Sequence, residues 1–215
     1  MALDWTAVIP VKRLTAAKSR LRGAVPAHRH ADLALAMVRD TATAVLGGDA
    51  VGELIVVTDD PVVREAMAGL GARVVPDRPG ADLNGAMRYG ADEVAGLSRH
   101  RVVLAGDLPA LRPSQLDDAL VFAAERRSFV ADAAGTGTVL LAVPPGQELD
   151  PRFGIGSAGA HERSGARPLT GDWPGLRQDV DTPADLAAVV AMGAGRHTCE
   201  LLRDLGLTPD CVPAA

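Results

Sequence analysis

Aromatic side chains are scarce: two Trp, one Tyr and three Phe make up 3% of 215 residues. A chain so poor in rings has few platforms on which to stack the bases of a single-stranded nucleic acid. A basic surplus is missing too. The net charge is −5 and the sequence pI about 5.5, which excludes the broad basic face of a duplex binder. Cysteine is reduced to Cys199 and Cys211, too few for a disulfide framework and not at metal-ligand spacing. Two reduced thiols in a cytoplasmic protein are expected. No run approaches the ~18 apolar residues that span a bilayer. The opening MALDW places no charged leader before an apolar stretch, so neither membrane nor secretory pathway is implied.

Several signatures of chemistry are absent as well. The loop after the first apolar run has no glycine before Gly23 and so no Walker or GxGxxG pattern; the chain has no Gly-x-Ser-x-Gly elbow, and neither cysteine stands in a catalytic pattern. Dinucleotide oxidoreduction and covalent nucleophile chemistry are therefore unsupported. His161 lies beside Glu162 and Arg163 and reads as a surface residue of a polar helix. His28, His30, His100 and His197 have no partner at useful spacing.

What is present is aliphatic and alternating. Residues counted as hydrophobic make up 47% of the chain, enough for one continuous Ala/Val/Leu core in a single domain over 1–215. Strand-like runs over 6–11, 53–60, 72–77 and 101–111 alternate with helix-like segments over 26–48, 61–71, 84–96 and 112–127. The stretch 128–145 reads as a hairpin about a Gly/Thr turn, and 157–164 as a short helix after a glycine loop. RQDVDTPADL reads as a strand end followed by a helix, with Thr182 as N-cap, Pro183 in the first turn and Asp185 closing a capping box. The core spans about 6–192, and a weakly patterned tail of about 198–215 follows. This order predicts a mostly parallel sheet flanked by helices, with a small antiparallel insertion.

In such sheets ligands gather at the carboxyl ends of the strands, so the residues just after each apolar run carry the functional reading. AVIPV runs into Lys12, Arg13, Lys18, Arg20 and Arg22, with no glycine before Gly23. Side-chain cations, rather than glycine amides, must then meet an anion there. Asp107 in VLAGDLP and Asp179 in RQDVD each follow an apolar or strand-like run. Single carboxylates at strand ends suit Mg²⁺, which keeps one or two protein carboxylates and takes substrate phosphates for the rest. The competing reading is that each caps a turn, for which Asp181 is better placed than Asp179 at Thr182. Gly154, Gly156, Gly159 and Ser157 form a glycine-rich loop before a helix, with Thr138 on the neighbouring hairpin. An anion site and a plain loop are equal readings of it.

VIPVKRLTAAKSRL, DLNGAM, LAGDLPAL, SFVADAAGTGTVLL, RFGIGSAGAHERSGARPL and WPGLRQDVDTPADL, in that order over residues 6 to about 192, resemble the 2-phospho-L-lactate guanylyltransferases. The likeness is closest to their actinobacterial, phosphoenolpyruvate-using branch in coenzyme F-420 biosynthesis. The resemblance implies a GT-A-like, Rossmann-like nucleotidyltransferase fold and Mg²⁺-dependent transfer of GMP from GTP onto phosphoenolpyruvate or 2-phospho-L-lactate, with release of pyrophosphate. It implies that Thr138, Gly154 and Ser157 bind the acceptor and that Asp107 and Asp179 hold metal. Lys12, Lys18 and Arg20 fall in its nucleotide loop, and Asn84 near the nucleoside. GIGSAGAH departs from relatives at Ile155 and Gly156. The product's instability implies hand-off to the next pathway enzyme. Transfer to another acceptor, such as 3-phosphoglycerate or a molybdenum-cofactor precursor, and a non-catalytic nucleotide-binding domain are the alternatives.

Overall fold

Trp5–Pro10 form β1, and all six residues are buried. A run with no polar alternation can only sit between two layers, and β1 lies inside a seven-stranded sheet of order β3-β2-β1-β4-β6-β5-β7. The computed structural model describes residues 4–14, 25–208 and 211. Its remaining strands are β2 (Val51–Val57), β3 (Arg73–Val75), β4 (His100–Leu104), β5 (Ser128–Ala131), β6 (Thr138–Val143) and the short β7 (Arg167–Pro168). β1 pairs parallel with β2 and β4, β2 with β3, and β5 with β7; β6 runs antiparallel to both β4 and β5. The expected antiparallel insertion is thus one reversed strand inside the sheet.

The two faces divide by strict alternation. Ala7, Ile9, Leu54, Val56, Val102 and Leu104 point to α1 (His30–Leu46), α2 (Pro61–Gly69) and α4 (Pro113–Ala123). Val8, Ile55, Val57, Val103 and Leu141 point to α3 (Leu83–Arg88), its π-helical extension Tyr89–Gly96, and α5 (Ser157–Arg163). The predicted helix over 84–96 therefore changes winding at Tyr89. Gly90 lets the wider coil lie on the sheet, because a Cβ there would sit 2.6 Å from Val8 Cγ1 and 2.9 Å from Val57 Cγ2.

At the C-terminal side the outcome differs from expectation in three ways. The strand end predicted at 177–180 is not a strand: α6 (Pro174–Arg177) leads into an irregular turn. The apolar residue there, Val180, buries with Leu33, Met37, Leu186 and Leu202 of the helices rather than joining the sheet. Pro183–Met192 form α7 behind the predicted cap, with Thr182 Oγ1 accepting from the Asp185 amide and the Asp185 carboxylate accepting from the Thr182 amide.

Second, the first part of the predicted tail is α8 (Arg196–Asp204), which buries Thr198, Cys199 and Leu202. Its N-cap, Gly195, has no side chain to offer. Asp40 of α1 supplies the acceptor instead, taking the His197 and Thr198 amides at 2.8 Å each. Third, Cys199 and Cys211 are not reduced thiols but a disulfide, with Cα atoms 5.3 Å apart. The spacing of 12 residues says nothing of pairing until α8 turns the chain back. Among the described residues no helix is long and apolar enough to cross a membrane.

Candidate active site

The carboxyl ends of β1 and β4, the β5–β6 turn, the loop before α5 and the turn before α7 surround one cleft of about 590 Å³. The strand-end rule locates it. Lys12, Asp107, Thr138, Gly154, Ser157 and Asp179 all line it. Asn84 does not. Lys18 and Arg20 lie outside the described residues.

The cation loop starts from a fixed base. Asp60, the buried N-cap of α2, accepts from the Val62 and Val63 amides and, through its second oxygen, from the Leu14 amide at 3.0 Å. These bonds and the charge of Arg13 hold its carboxyl below the usual range despite burial. Lys12 Nζ donates to Asp77 Oδ2 at 2.5 Å and to the Ala81 carbonyl at 2.8 Å. Lys12 therefore bridges β1 to the segment after β3.

The opposite wall is acidic. Burial, followed by the charges of Asp107, Asp181 and Asp132, pushes the Asp179 carboxyl up to about 7. Asp132 and Asp181 also line the cleft. Both were missed in the sequence, although Asp132 follows the apolar run FVA as Asp107 follows VVLA. At the turn before α7 the N-cap is Thr182, and the Asp185 carboxylate accepts from the Asp181 and Thr182 amides. Among the described residues no group of three or more His, Cys, Asp or Glu side chains could by itself hold a metal ion.

The third wall is the loop before α5. Gly154 and Gly156 take φ of 136° and 70°, left-handed values that a side chain would strain. The Ser157 amide donates to the Gly154 carbonyl, and the Ala158 amide to that of Thr136. The Ser157 amide is thus spent within the loop, and the Ala158 amide ties the loop to the β5–β6 turn. Ile155, fully exposed, stands at the rim.

Asn84 acts on this loop from outside. Its Nδ2 donates to the Phe153 carbonyl at 3.0 Å and its Oδ1 accepts from the Phe153 amide at 2.7 Å. Both ends of the amide are engaged with the Phe153 backbone. His161 corrects another expectation: it is not a surface residue but fully buried. Its ring packs against Phe129 and Phe153, and burial, then the charge of Arg127, lowers its pKa to about 4.

A family model described as guanylyl transferase CofC like matches residues 5–212. The chain is 53% identical over 209 residues to a phosphoenolpyruvate guanylyltransferase from Salinispora arenicola, covering 94% of each chain. It is 49% identical over 204 residues to one from Geodermatophilus obscurus, covering 92% of this chain and 94% of that one. Among solved structures, a candidate nucleotide-diphospho-sugar transferase from Desulfovibrio desulfuricans G20 matches with a TM-score of 0.69 at 17% identity, covering 98% of this chain and 99% of the other. CMP:2-keto-3-deoxy-manno-octonic acid synthetase complexed with CTP matches with a TM-score of 0.54 at 17% identity, covering 88% of this chain and 98% of the other. The structural likenesses establish the GT-A-like nucleotidyltransferase fold.

Proposed function

The chain belongs to the CofC-like guanylyl transferase family, and from that premise we propose that it moves GMP from GTP onto the phosphate of phosphoenolpyruvate, or of 2-phospho-L-lactate, in coenzyme F-420 biosynthesis. One observation supports this reading above the rest. Two carboxylates from separate segments, Asp107 after β4 and Asp179 in the turn before α7, line the same cleft as Lys12, Thr138, Gly154 and Ser157. A phosphoryl donor and a small anionic acceptor need that combination in one site.

The reaction joins an acceptor phosphate oxygen to the α-phosphorus of GTP and breaks the bond from that phosphorus to the β-phosphate oxygen, so pyrophosphate leaves. The attacking oxygen is already anionic, and no general base is required. This matches a cleft in which His161, the one histidine nearby, is walled off from solvent and held neutral. The work left for the protein is alignment and charge neutralisation. Lys12 and Arg13 bring positive charge to the triphosphate. Thr138, Gly154 and Ser157 fix the acceptor.

The acidic wall fits a divalent cation. Hard carboxylate oxygens suit such an ion, and it would relieve both the burial and the neighbouring negative charges that raise the Asp179 pKa to about 7. The lack of a complete ligand cluster among the described residues suits an ion that completes its shell from phosphates and water. Asp107 and Asp179 would hold Mg²⁺, which when bound neutralises phosphate charge at the reacting centre.

Pyrophosphate release measured with each of GTP, ATP, CTP and UTP against phosphoenolpyruvate, 2-phospho-L-lactate and 3-phosphoglycerate tests the reading. Release with GTP and one of the first two acceptors supports it. No release with either acceptor, in the presence of Mg²⁺ and of the enzyme that consumes the product, overturns it.

A further inference from the structure

Thr138 Oγ1 lies 3.0 Å from His161 Nδ1, and the other ring nitrogen, Nε2, accepts from the Arg152 backbone amide at 2.9 Å. An amide N–H can only donate, so Nε2 carries a lone pair. A neutral imidazole has a single N–H, which must then be on Nδ1. His161 therefore donates to Thr138, and the threonine oxygen accepts. The hydroxyl proton of Thr138 has to point elsewhere. Thr138 is 8% exposed and its exposed part lines the cleft; His161 is its side chain's hydrogen-bond partner among the described residues.

We propose that His161 is a positioning residue that directs the Thr138 hydroxyl proton away from itself, so that it donates to an anionic oxygen of the acceptor substrate. The proposal rests on the reading that the acceptor binds at Thr138. A hydroxyl left to itself donates or accepts as its neighbour requires. With one of its two lone pairs taken from behind and its proton turned to the cleft, it favours a carboxylate or phosphate oxygen over a donor such as a carboxamide N–H. The same ring also holds the Arg152 amide, one residue before the Phe153 that Asn84 clamps. A single imidazole thus connects Thr138 to the start of the loop that carries Gly154 and Ser157. Phe129 and Phe153, with ring centroids 5.7 and 5.1 Å from that of His161, keep the plane from swinging.

The test has a spectroscopic and a kinetic arm. Long-range ¹H–¹⁵N correlation on the folded full chain at pH 7 should show His161 as the Nδ1–H tautomer. This readout needs no turnover, so it stands even if the proposed reaction fails. In steady-state assays, His161→Phe keeps ring bulk but removes both hydrogen bonds. It should raise KM for phosphoenolpyruvate about tenfold while KM for GTP stays within about twofold. His161→Asn places an amide near the Nδ1 position and should recover part of the loss. In a Thr138→Val background the His161→Phe change should cost little more. An Nε2–H tautomer, equal effects on both substrates, or full additivity with Thr138→Val would overturn the proposal. Should His161→Phe fail to fold, the tautomer and the Asn variant decide it. Absence of turnover with any acceptor in the unsubstituted protein would count against the functional reading alone.

Discussion

Asn84 and Phe153, 69 residues apart, are joined by a two-way amide pair: Nδ2 to carbonyl at 3.0 Å and Oδ1 from N–H at 2.7 Å. The pair resembles one rung of a β-ladder in which a side chain replaces the second strand. It ties the first turn of α3 to the loop that supplies Gly154 and Ser157. The consequence is that a residue that does not line the cleft governs the shape of the wall formed by Gly154 and Ser157.

Asn84→Ala should therefore act on one substrate. Losing two bonds to a part-buried backbone costs on the order of 1–3 kcal/mol, spent mostly on loop order. KM for the acceptor should rise about tenfold, with KM for GTP nearly unchanged and the melting temperature lowered by a few degrees, roughly 2–4 °C per kcal/mol. Steady-state kinetics with each substrate varied in turn check this. A GTP-selective defect would instead return Asn84 to the nucleoside.

Asp107→Asn and Asp179→Asn should each reduce pyrophosphate release by about 10³-fold, several kcal/mol of transition-state stabilisation. The stability of Asp179→Asn should move the other way. With a folded-state pKa of about 7 against an ordinary carboxyl value of 3.8, the folded protein holds a proton that the unfolded chain has already lost. Below pH 4 both states are protonated and nothing is at stake. The penalty builds from pH 4 to 7 and is complete above 7. In buffer without divalent cations, Asp179→Asn should melt higher than the parent at pH 8 and equally at pH 4.

His161 predicts the opposite slope. Its folded pKa of about 4 lies below the ordinary 6.5, so between these values the unfolded chain binds the extra proton. Stability from this residue is fully present above pH 6.5 and is lost as pH falls toward 4, by up to about 3 kcal/mol at 1.36 kcal/mol per pH unit. Melting curves from pH 7 to 4 should steepen less for His161→Asn than for the parent. Parallel pH profiles would show that the imidazole is not held neutral by the fold.

Gly175 has no room for a side chain: a Cβ would lie 2.0 Å from the Ala110 carbonyl oxygen and 2.9 Å from Gln115 Oε1. Backbone cannot retreat as a flexible side chain can. Gly175→Ala should cost about 3 kcal/mol and roughly 10 °C of melting temperature. It should also shift the turn that carries Asp179, so activity should fall more steeply with temperature. A thermal melt and activity measured between 20 and 40 °C test both.

How much of this was legible follows from distance along the chain. The alternation of β1, β2 and β4, the capping box at Thr182 and the placement of Asp107 behind VVLA are local patterns. Each is set by side-chain period or by a turn of a few residues. The rule that ligands collect at strand ends then located the cleft of Lys12, Asp107 and Thr138, which Asp179 reaches from the turn before α7 instead. Local reading failed where a residue's partner is remote. RQDV reads as a strand end, yet its one apolar residue, Val180, buries among helix residues. His161, flanked by charges, reads as exposed until α5 lays it against Phe129.

The amino-acid order by itself therefore determined the layers of the sheet, the ends at which chemistry can occur, and a family likeness carried by motifs in series. Those depend on hydrophobic period and on short-range hydrogen bonding, which are properties of consecutive residues. Tertiary packing alone decided that Asn84 clamps Phe153, that Asp132 and Asp181 join Asp107 around Asp179, that Cys199 meets Cys211, and which nitrogen of His161 bears its proton. Each of these is a contact whose partner is chosen by the folded shape, and no window of neighbouring residues contains it.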